Sequence, residues 1–258
     1  MPRSRHVIPL AILAVVIGGI TAAVFFLIDW IPLSASEQAE RVDPLMWFVV
    51  ISCGVIFTIV MMFLLYSVWR FKAPEGDEED GPPIHGNTKL EIAWTVIPTV
   101  IVLFGAGYSW VILNDIEDVA PAAERLEVNV TAQQFAWTFE YPTEGVTSHE
   151  LHVPVGKQLD LQLTALDVLH SFWVPEWRIK RDLVPQGSGG DEVDDTVQVT
   201  PDVEGTYNVV CTEYCGAGHA TMRALAVVES QEEFDAWIAE QDAPPAAPDA
   251  EGGGAAPE

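Results

Sequence analysis

Four side chains that can bind a soft metal ion lie within the segment CTEYCGAGHATM, residues 211–222. Cys211 and Cys215 offer thiolates, His219 offers an imidazole and Met222 offers a thioether. Ligands of this kind favour copper over magnesium or calcium. A mononuclear blue-copper site uses one Cys, two His and an axial Met, so the additional thiolate predicts a bridge to a second metal ion.

A second imidazole for such a centre is supplied by His170, in the segment DVLHSFWVP. With it, the ligand set suits a binuclear copper centre in which both thiolates are shared. Two other interpretations stay open: an exported domain permits a disulfide between the cysteines, and two Cys with two His can hold a structural zinc ion. Neither gives Met222 a role, so copper is favoured.

The ligand segment is predicted to be a loop between two strands. Runs that alternate apolar and polar residues predict strands, and short Pro- and Gly-containing turns separate them. The runs are LEVNVTAQQFAWTFEY, KQLDLQLTAL, DTVQVT, TYNVVC and MRALAVVES. They predict an all-β Greek-key sandwich or barrel of antiparallel strands, with about a hundred residues and the metal ligands at one end. An amphipathic helix is predicted to begin near Glu232.

Three runs without charged residues precede this domain, at residues 7–28, 45–69 and 92–113. Each exceeds the roughly 20 residues with which a helix crosses a bilayer. Arg and Lys lie before the first run and between the second and third, which predicts that both places are cytoplasmic and that the C-terminal domain lies outside. The second and third runs then form a transmembrane hairpin. The first is a further span or a signal peptide, and its length slightly favours a span.

The charge of the chain is strongly unbalanced. The formal net charge is −26, and residues 114–258 hold 28 of the 38 acidic residues but six of the 12 basic ones. This balance argues against nucleic acid as a partner. It also predicts a domain that stays soluble in strong salt, as in halophiles, although a merely acidic exported protein is the alternative.

Composition predicts four regions. Residues 1–35 are an N-terminal membrane segment or signal peptide, and residues 36–114 are the transmembrane hairpin. Residues 115–240 are the β-domain. Residues 241–258, with the sequence QDAPPAAPDAEGGGAAPE, have little to bury and are predicted to be a disordered acidic tail.

These features closely resemble cytochrome c oxidase subunit II, a family of the haem-copper oxidases. The resemblance covers nearly all of residues 45–235 and rests on Cys-x-Glu-x-Cys-x3-His-x2-Met together with Asp-Val-Leu-His-Ser at residues 167–171. It implies a helical hairpin followed by a cupredoxin-like domain with a binuclear copper-A centre. The chain would be a multi-pass plasma-membrane subunit that receives electrons and passes them to haem in subunit I, where oxygen reduction drives proton pumping.

The resemblance also implies which six residues hold the metals. The two thiolates would bridge the copper ions, each imidazole would ligate one, and the thioether and one backbone carbonyl would be weak ligands. The glutamate that supplies this carbonyl would also reach, through its carboxylate, a magnesium ion shared with subunit I. In chain order the six are His170, Cys211, Glu213, Cys215, His219 and Met222.

Three further positions match functional positions of the family. Glu91 would lie at the mouth of a proton path into subunit I, although an acid at a helix N-terminus is also favoured by the helix dipole. Phe135 and Trp137 correspond to the aromatic patch over the copper where electrons from cytochrome c arrive. Phe135 stands where a tryptophan is common, which leaves the donor open. Because strong salt would screen the attraction of the acidic surface for a cationic cytochrome c, a small blue-copper protein is as plausible a donor as a cytochrome c.

Subunit I and the other oxidase subunits are the implied partners within the membrane. Half of the basic residues of the exported domain, namely Arg178, Lys180 and Arg181, are expected to dock on subunit I. Three rival functions stay open: a quinol-oxidase subunit without copper, a separate carrier such as the copper-A domain of nitrous oxide reductase, and a binding module with a disulfide or zinc clip. The complete ligand set argues against the first, and the membrane hairpin argues against the second.

Overall fold

The computed structural model describes residues 4–241 except 74, 77–80, 82 and 186–195. The predicted acidic tail therefore lies outside the described residues, apart from Gln241. The chain divides into two compact units. One consists of Met1–Val119 with Pro175–Ile179, and the other of Ala120–Val174 with Lys180–Glu258.

The described part of the chain contains four α-helices, ten strands and three short 3-10 helices. The α-helices are α1 (Ser4–Leu27), α2 (Glu37–Arg70), α3 (Thr88–Ile116) and α4 (Gln231–Gln241). The first five strands are β1 (Arg125–Gln133), β2 (Ala136–Tyr141), β3 (Val146–Ser148), β4 (Leu151–Pro154) and β5 (Gln158–Ala165). The others are β6 (His170–Val174), β7 (Ile179–Leu183), β8 (Thr196–Val199), β9 (Gly205–Cys211) and β10 (Arg223–Glu229). The 3-10 helices are Ala122–Glu124, Pro175–Trp177 and His219–Thr221.

The first three helices are long and apolar enough to cross a membrane, which confirms the three predicted segments. Polar caps mark where two of them begin. The Ser36 hydroxyl accepts the backbone N–H of Ala39 at the start of α2. The Asn87 side chain accepts backbone N–H groups at the start of α3. These caps satisfy helix N–H groups that have no partner within the helix.

Helix α1 packs along α2 through small residues and polar pairs. A Cβ at Gly54 would lie 2.9 Å from the Phe25 ring, so the glycine lets the two helices approach closely. The Thr58 hydroxyl donates to that of Thr21 at 3.4 Å. Near the end of α2, His6 Nδ1 lies 2.5 Å from the hydroxyl oxygen of Tyr66. The first run therefore forms specific contacts with the hairpin.

Within the same unit, the segment Pro175–Ile179 holds the chain that leads into α2. The backbone N–H of Ala35 donates to the carbonyl of Glu176 at 3.0 Å. The Arg178 guanidinium binds the Asp43 carboxylate at 2.8 Å and the carbonyl of Pro32 at 2.6 Å, and its side chain is 5% exposed. The expectation that Arg178 docks on subunit I is therefore wrong, because its donors are already bound within this chain.

The ten strands form the predicted cupredoxin-like sandwich. One sheet has the order β3-β2-β1-β5-β8 and the other β4-β10-β9-β6-β7. Two pairs, β1 with β5 and β4 with β10, are parallel, so the expectation of purely antiparallel strands is wrong in these places. The partners of each parallel pair are separated by several other strands, and that length permits the crossover that parallel pairing needs.

The run LEVNVTAQQFAWTFEY is a hairpin rather than one strand. It turns at Gln134–Phe135, and Gln133 pairs with Ala136 across the turn. Alternating residues of both strands, including Val128, Val130 and Phe139, are fully buried between the sheets. The hairpin therefore places its turn at one end of a rigid core, which is where the metal ligands also lie.

Candidate metal centre

Three strand ends bring the predicted ligands together. Phe172 of β6 pairs with Cys211 of β9, which places His170 beside the end of β9. The Cys211 N–H donates to the carbonyl of Met222 at 3.2 Å, so the loop between β9 and β10 is closed at its base. The positions of these ligands are therefore set by the sheet register and not by the loop alone.

The four strong candidate ligands form a continuous chain of contacts. Cys211 Sγ lies 3.8 Å from His170 Nδ1 and 3.8 Å from Cys215 Sγ. Cys215 Sγ lies 3.8 Å from His219 Nδ1. One ligand atom from each of His170, Cys211 and Cys215 lies within 4.8 Å of the other two. Sequence residues that are up to 49 positions apart are thus brought to one point.

Each of the two weak candidate ligands contacts one of the two cysteines. Cys215 Sγ is 3.8 Å from Met222 Sδ, and Met222 is fully buried. Cys211 Sγ is 3.3 Å from the backbone carbonyl oxygen of Glu213. The structure therefore brings together all six residues that the sequence predicted.

These spacings fit metal coordination and not a disulfide. Two atoms bound to one ion at about 2.2 Å with tetrahedral angles lie about 3.6 Å apart, close to the distances found here. A disulfide would bring the two sulfurs to about 2.0 Å, whereas Cys211 and Cys215 are free thiols with Sγ atoms 3.8 Å apart. Together with Met222, this Cys/His cluster indicates copper binding.

Burial opposes ionisation of Cys215 unless a cation is bound beside it. Burial raises the pKa of the Cys215 thiol to about 11, and the hydrogen bond with Cys211 contributes in the same direction. Ionising Cys215 without a positive charge nearby is therefore unfavourable. A bound metal cation reverses this balance, because a coordinating thiol is deprotonated. Cys211 and Cys215 would consequently be thiolates when a metal ion is bound.

Asp167 fixes the orientation of one imidazole. His170 Nε2 lies 2.9 Å from Asp167 Oδ1, which leaves Nδ1 directed at Cys211. Partial burial works to raise the pKa of Asp167, but hydrogen bonds from His170 and from the backbone N–H groups of Gln134 and Val168 lower it overall. Asp167 therefore stays ionised and accepts a hydrogen bond from the imidazole N–H. The motif Asp-Val-Leu-His-Ser contains Asp167, but its sequence alone does not show that this carboxylate orients the imidazole.

Phe135 and Trp137 occupy different environments. Phe135 is half-exposed and lies on the ligand loop, where a Cβ at Gly218 would be 2.5 Å from its ring. Trp137 is 2% exposed, and its ring centroid lies 6.4 Å from that of His170. Phe135 can therefore be touched by a soluble protein, whereas Trp137 contacts a ligand from inside the core.

An exposed aromatic residue of the ligand loop was missed by the sequence analysis. Tyr214 is 76% exposed, and its ring packs edge-on against the ring of His219 at 5.8 Å between centroids. Its position between the two cysteines is the one feature of the sequence that places it near the candidate ligands. Its exposure depends on how the loop folds.

Glu91 lies at the start of α3, away from the ligand cluster in sequence and in the other compact unit. Its Oε1 accepts the backbone N–H of Asn87 at 3.0 Å, while the Asn87 side chain accepts N–H groups of the first turn. This reciprocal arrangement is a helix cap. Glu91 therefore has the place of an acid at a helix N-terminus, which is the alternative role that the sequence left open.

Comparisons with known proteins agree with this architecture. The model of the cytochrome c oxidase subunit II transmembrane domain matches residues 25–112, and that of the periplasmic domain of the same subunit matches residues 146–230. Cytochrome c oxidase subunit 2 of a Synechocystis species is 33% identical over 81% of this chain and 74% of its own length. That of Thermostichus vulcanus is 32% identical over 84% of this chain and 80% of its own.

Among solved structures, the periplasmic domain of subunit II of cytochrome oxidase from Bradyrhizobium japonicum is 26% identical and covers 45% of this chain and 92% of that domain, with a TM-score of 0.40. The regions matched by the family models include α2, most of α3 and all six candidate ligands. The chain is membrane-anchored, and its C-terminal domain lies outside the cytoplasm. It therefore belongs to the cytochrome c oxidase subunit II family, whose members receive electrons for a haem-copper terminal oxidase.

Proposed function

We propose that the six clustered residues hold two copper ions, and that this centre takes electrons from a soluble redox protein and passes them to haem in subunit I. One observation carries the proposal: the candidate ligand atoms form a single buried cluster. It contains two free thiols, two imidazole Nδ1 atoms, a thioether and a backbone carbonyl oxygen, and neighbouring atoms in it are 3.3 to 3.8 Å apart. When bound, such a copper pair takes up and releases single electrons. A mononuclear blue-copper site, which uses one Cys, would leave the other thiol without a metal.

The chain itself supplies rigidity and a fixed electrostatic environment. His170 and Met222 are fully buried, and the strand pairs on each side hold their backbones. Asp167 holds one imidazole in a single tautomer. A site whose ligands cannot rearrange is suited to electron transfer, because the protein need not reorganise as the charge changes.

The magnesium proposal concerns the side chain of Glu213. This residue is half-buried in the ligand loop, and its carbonyl already faces Cys211. A carboxylate next to the copper ligands, completed by groups from subunit I, suits a hard cation such as magnesium. Such a magnesium ion would link the ligand loop to subunit I, which receives the electron.

The arrival of electrons is assigned to Phe135, with Trp137 behind it. Phe135 lies half-exposed on the glycines of the ligand loop. Trp137 is buried against His170 and would lie between the protein surface and the metal. The proton-path role of Glu91 is retained as a proposal, and it requires the carboxylate to leave the Asn87 N–H that it now accepts.

The domain organisation proposed from the sequence accompanies this function. Residues 36–114 anchor the subunit, and residues 115–240 carry the copper ligands. The contacts of α1 with α2 support the view that residues 1–35 act as a membrane segment and not as a signal peptide.

The test is to purify the whole oxidase and measure copper per subunit together with its electron paramagnetic resonance spectrum. We expect two copper ions in this chain, beyond those of the other subunits, and one unpaired electron shared equally between two copper nuclei. Cys215→Ser should abolish the shared signal, whereas Cys53→Ser, a cysteine of α2, should leave it intact. A single localised copper signal, or zinc at the site, would contradict the proposal.

A further inference from the structure

The four strong candidate ligands form two pairs that are held in different ways. His170 and Cys211 lie on β6 and β9, which are neighbours in one sheet, so the strand register fixes the position of this pair. Cys215 and His219 lie in the segment between β9 and β10, whose described residues contain no regular element except one turn of 3-10 helix. The second pair therefore needs a fastening that the sheet does not supply.

Gln134, in the turn between β1 and β2, attaches this ligand loop to the rest of the domain. Its side-chain amide donates a hydrogen bond to the backbone carbonyl of Cys215 at 2.6 Å. Bonds inside the loop, such as that from the His219 N–H to the Gly216 carbonyl at 3.1 Å, shape the loop but do not attach it. The bond from Gln134 thus fixes the middle of the loop against a turn of the rigid hairpin.

Gly216 leaves room for the amide of Gln134. Its φ is +129°, a backbone conformation that favours glycine. A Cβ at this position would lie 2.9 Å from Gln134 Nε2. A side chain at residue 216 would therefore strain the backbone and also push the amide away from the Cys215 carbonyl. The ligand loop and the side chain of Gln134 are matched in shape.

Gln134 also reaches the other ligand pair. Its backbone N–H donates to Asp167 Oδ2 at 2.7 Å, and His170 Nε2 lies 2.9 Å from Asp167 Oδ1. Three consecutive hydrogen bonds therefore connect the carbonyl of Cys215 with the imidazole of His170. A single turn residue couples the loop that carries one pair to a ligand of the other pair.

We propose that Gln134 is a positioning residue of the copper centre, which keeps the Cys215–His219 pair in register with the His170–Cys211 pair so that both copper ions have equivalent environments. This inference rests on the proposed copper centre and adds to it a residue that contacts no metal. An unpaired electron is shared equally between two metal ions only when their environments are equivalent, because a difference in energy localises it on one ion. Gln134 therefore sets the electronic state of the centre as well as the position of the loop.

The test uses the whole oxidase with two substitutions of Gln134. Gln134→Met keeps the length of the side chain but has no amide donor, and Gln134→Asn keeps the amide but is one methylene shorter. In both variants we expect the electron paramagnetic resonance spectrum to show unequal hyperfine couplings to the two copper nuclei. Competition with a copper chelator should show a copper affinity about tenfold lower. Because Gln134 is exposed, neither variant opens a cavity in the core, and thermal unfolding verifies that both are folded.

Gln133→Met is the matched control, because Gln133 is the exposed neighbour of Gln134 and ends β1, where it pairs with Ala136 within the hairpin. It should leave the two couplings equal and change copper affinity less than about twofold. Equal couplings in the Gln134 variants overturn the proposal whatever their copper affinity, because a role confined to loop stability lowers the affinity and leaves the sharing intact. A wild-type oxidase without a shared signal overturns the proposed function as well, so the two failures are distinguished.

Discussion

At the scale of single residues, the ligand cluster depends on side chains that do not touch the metal position. Asp167 orients His170, and Gln134 links Asp167 to the ligand loop through two hydrogen bonds. Such neighbours of ligands fix tautomer and ring orientation. They are therefore the most informative positions to change without deleting a ligand.

Replacing Asp167 should weaken copper binding without unfolding the domain. In Asp167→Ala the imidazole of His170 loses its partner at Nε2, so we expect copper affinity to fall about tenfold to a hundredfold. Competition with a copper chelator measures the change. Asp235→Ala, an exposed aspartate of α4, is the control and should leave the affinity unaltered.

Gly218 should tolerate no side chain while Phe135 is present. A Cβ there would lie 2.5 Å from the ring, so Gly218→Ala must displace Phe135 or the loop. We expect a destabilisation of about 1 to 3 kcal/mol in thermal unfolding. The double variant Gly218→Ala with Phe135→Ala should recover most of that loss, and additive effects of the two changes would argue against the contact.

The sequence predicted the ligands but not their support. Residue type and spacing alone predicted Cys211, Cys215, His219 and Met222 as one cluster, because a short loop limits how far its side chains can separate. The partners of Asp167 and the position of Phe135 on Gly218 depend on a turn that meets the loop only in the folded sandwich.

At the scale of elements, α4 follows the end of β10 that is opposite to the ligand loop: Met222 precedes β10, and α4 begins just after it. The Glu233 carboxylate accepts the N–H and hydroxyl of Ser230, and the Ser230 hydroxyl accepts the N–H of Glu233, so the helix starts with a capping box. Trp237 then stacks on His152, with ring centroids 4.2 Å apart. The amphipathic pattern predicted this helix, but not which strands it covers.

Removing the Trp237 ring should release α4 from the sheet. Trp237→Ala deletes the contacts with His152 and with the buried ring of Tyr141, so we expect a loss of roughly 2 kcal/mol. Thermal unfolding of the full chain in detergent should show a fall in Tm of roughly 6 °C. Glu240→Ala, at an exposed position of the same helix, should leave Tm nearly unchanged.

Helix α1 is expected to remain in the mature protein. The residues that a signal peptidase would recognise, Ser34-Ala35-Ser36, are part of the fold: Ala35 bonds to Glu176, and Ser36 caps α2 and donates to the carbonyl of Trp177. Intact-mass measurement of the subunit from native membranes should include α1. A mature N-terminus near residue 37 would show that α1 is removed.

At the scale of the whole molecule, the net charge of −26 sets the conditions in which the fold is stable. Like charges at this density repel one another in the compact state, and dissolved ions screen that repulsion. The interpretation as a protein of a salt-rich environment stays a prediction. It rests on composition alone, because the number of carboxylates is a property of the sequence that folding does not change.

Salt should stabilise the chain by screening. We expect Tm to rise by several degrees as NaCl increases from about 0.1 M to about 1 M, where the Debye length falls to about 3 Å. A neutral osmolyte such as sucrose at matched osmolality is the control for effects other than screening. An equal rise in both would show that charge repulsion is not the cause.

The register that joins β6 to β9 would make a metal ion bound by His170 and Cys211 a cross-link within the chain. Cys211 and His170 are 41 positions apart, and an ion held by both closes that stretch into a loop. By the chain-entropy estimate for a covalent cross-link of this length, the closure stabilises the folded domain by about 4 kcal/mol. If copper is that ion, we expect the lifetime of the subunit to depend on copper supply, so that a copper-starved cell loses the protein to proteolysis as well as its activity.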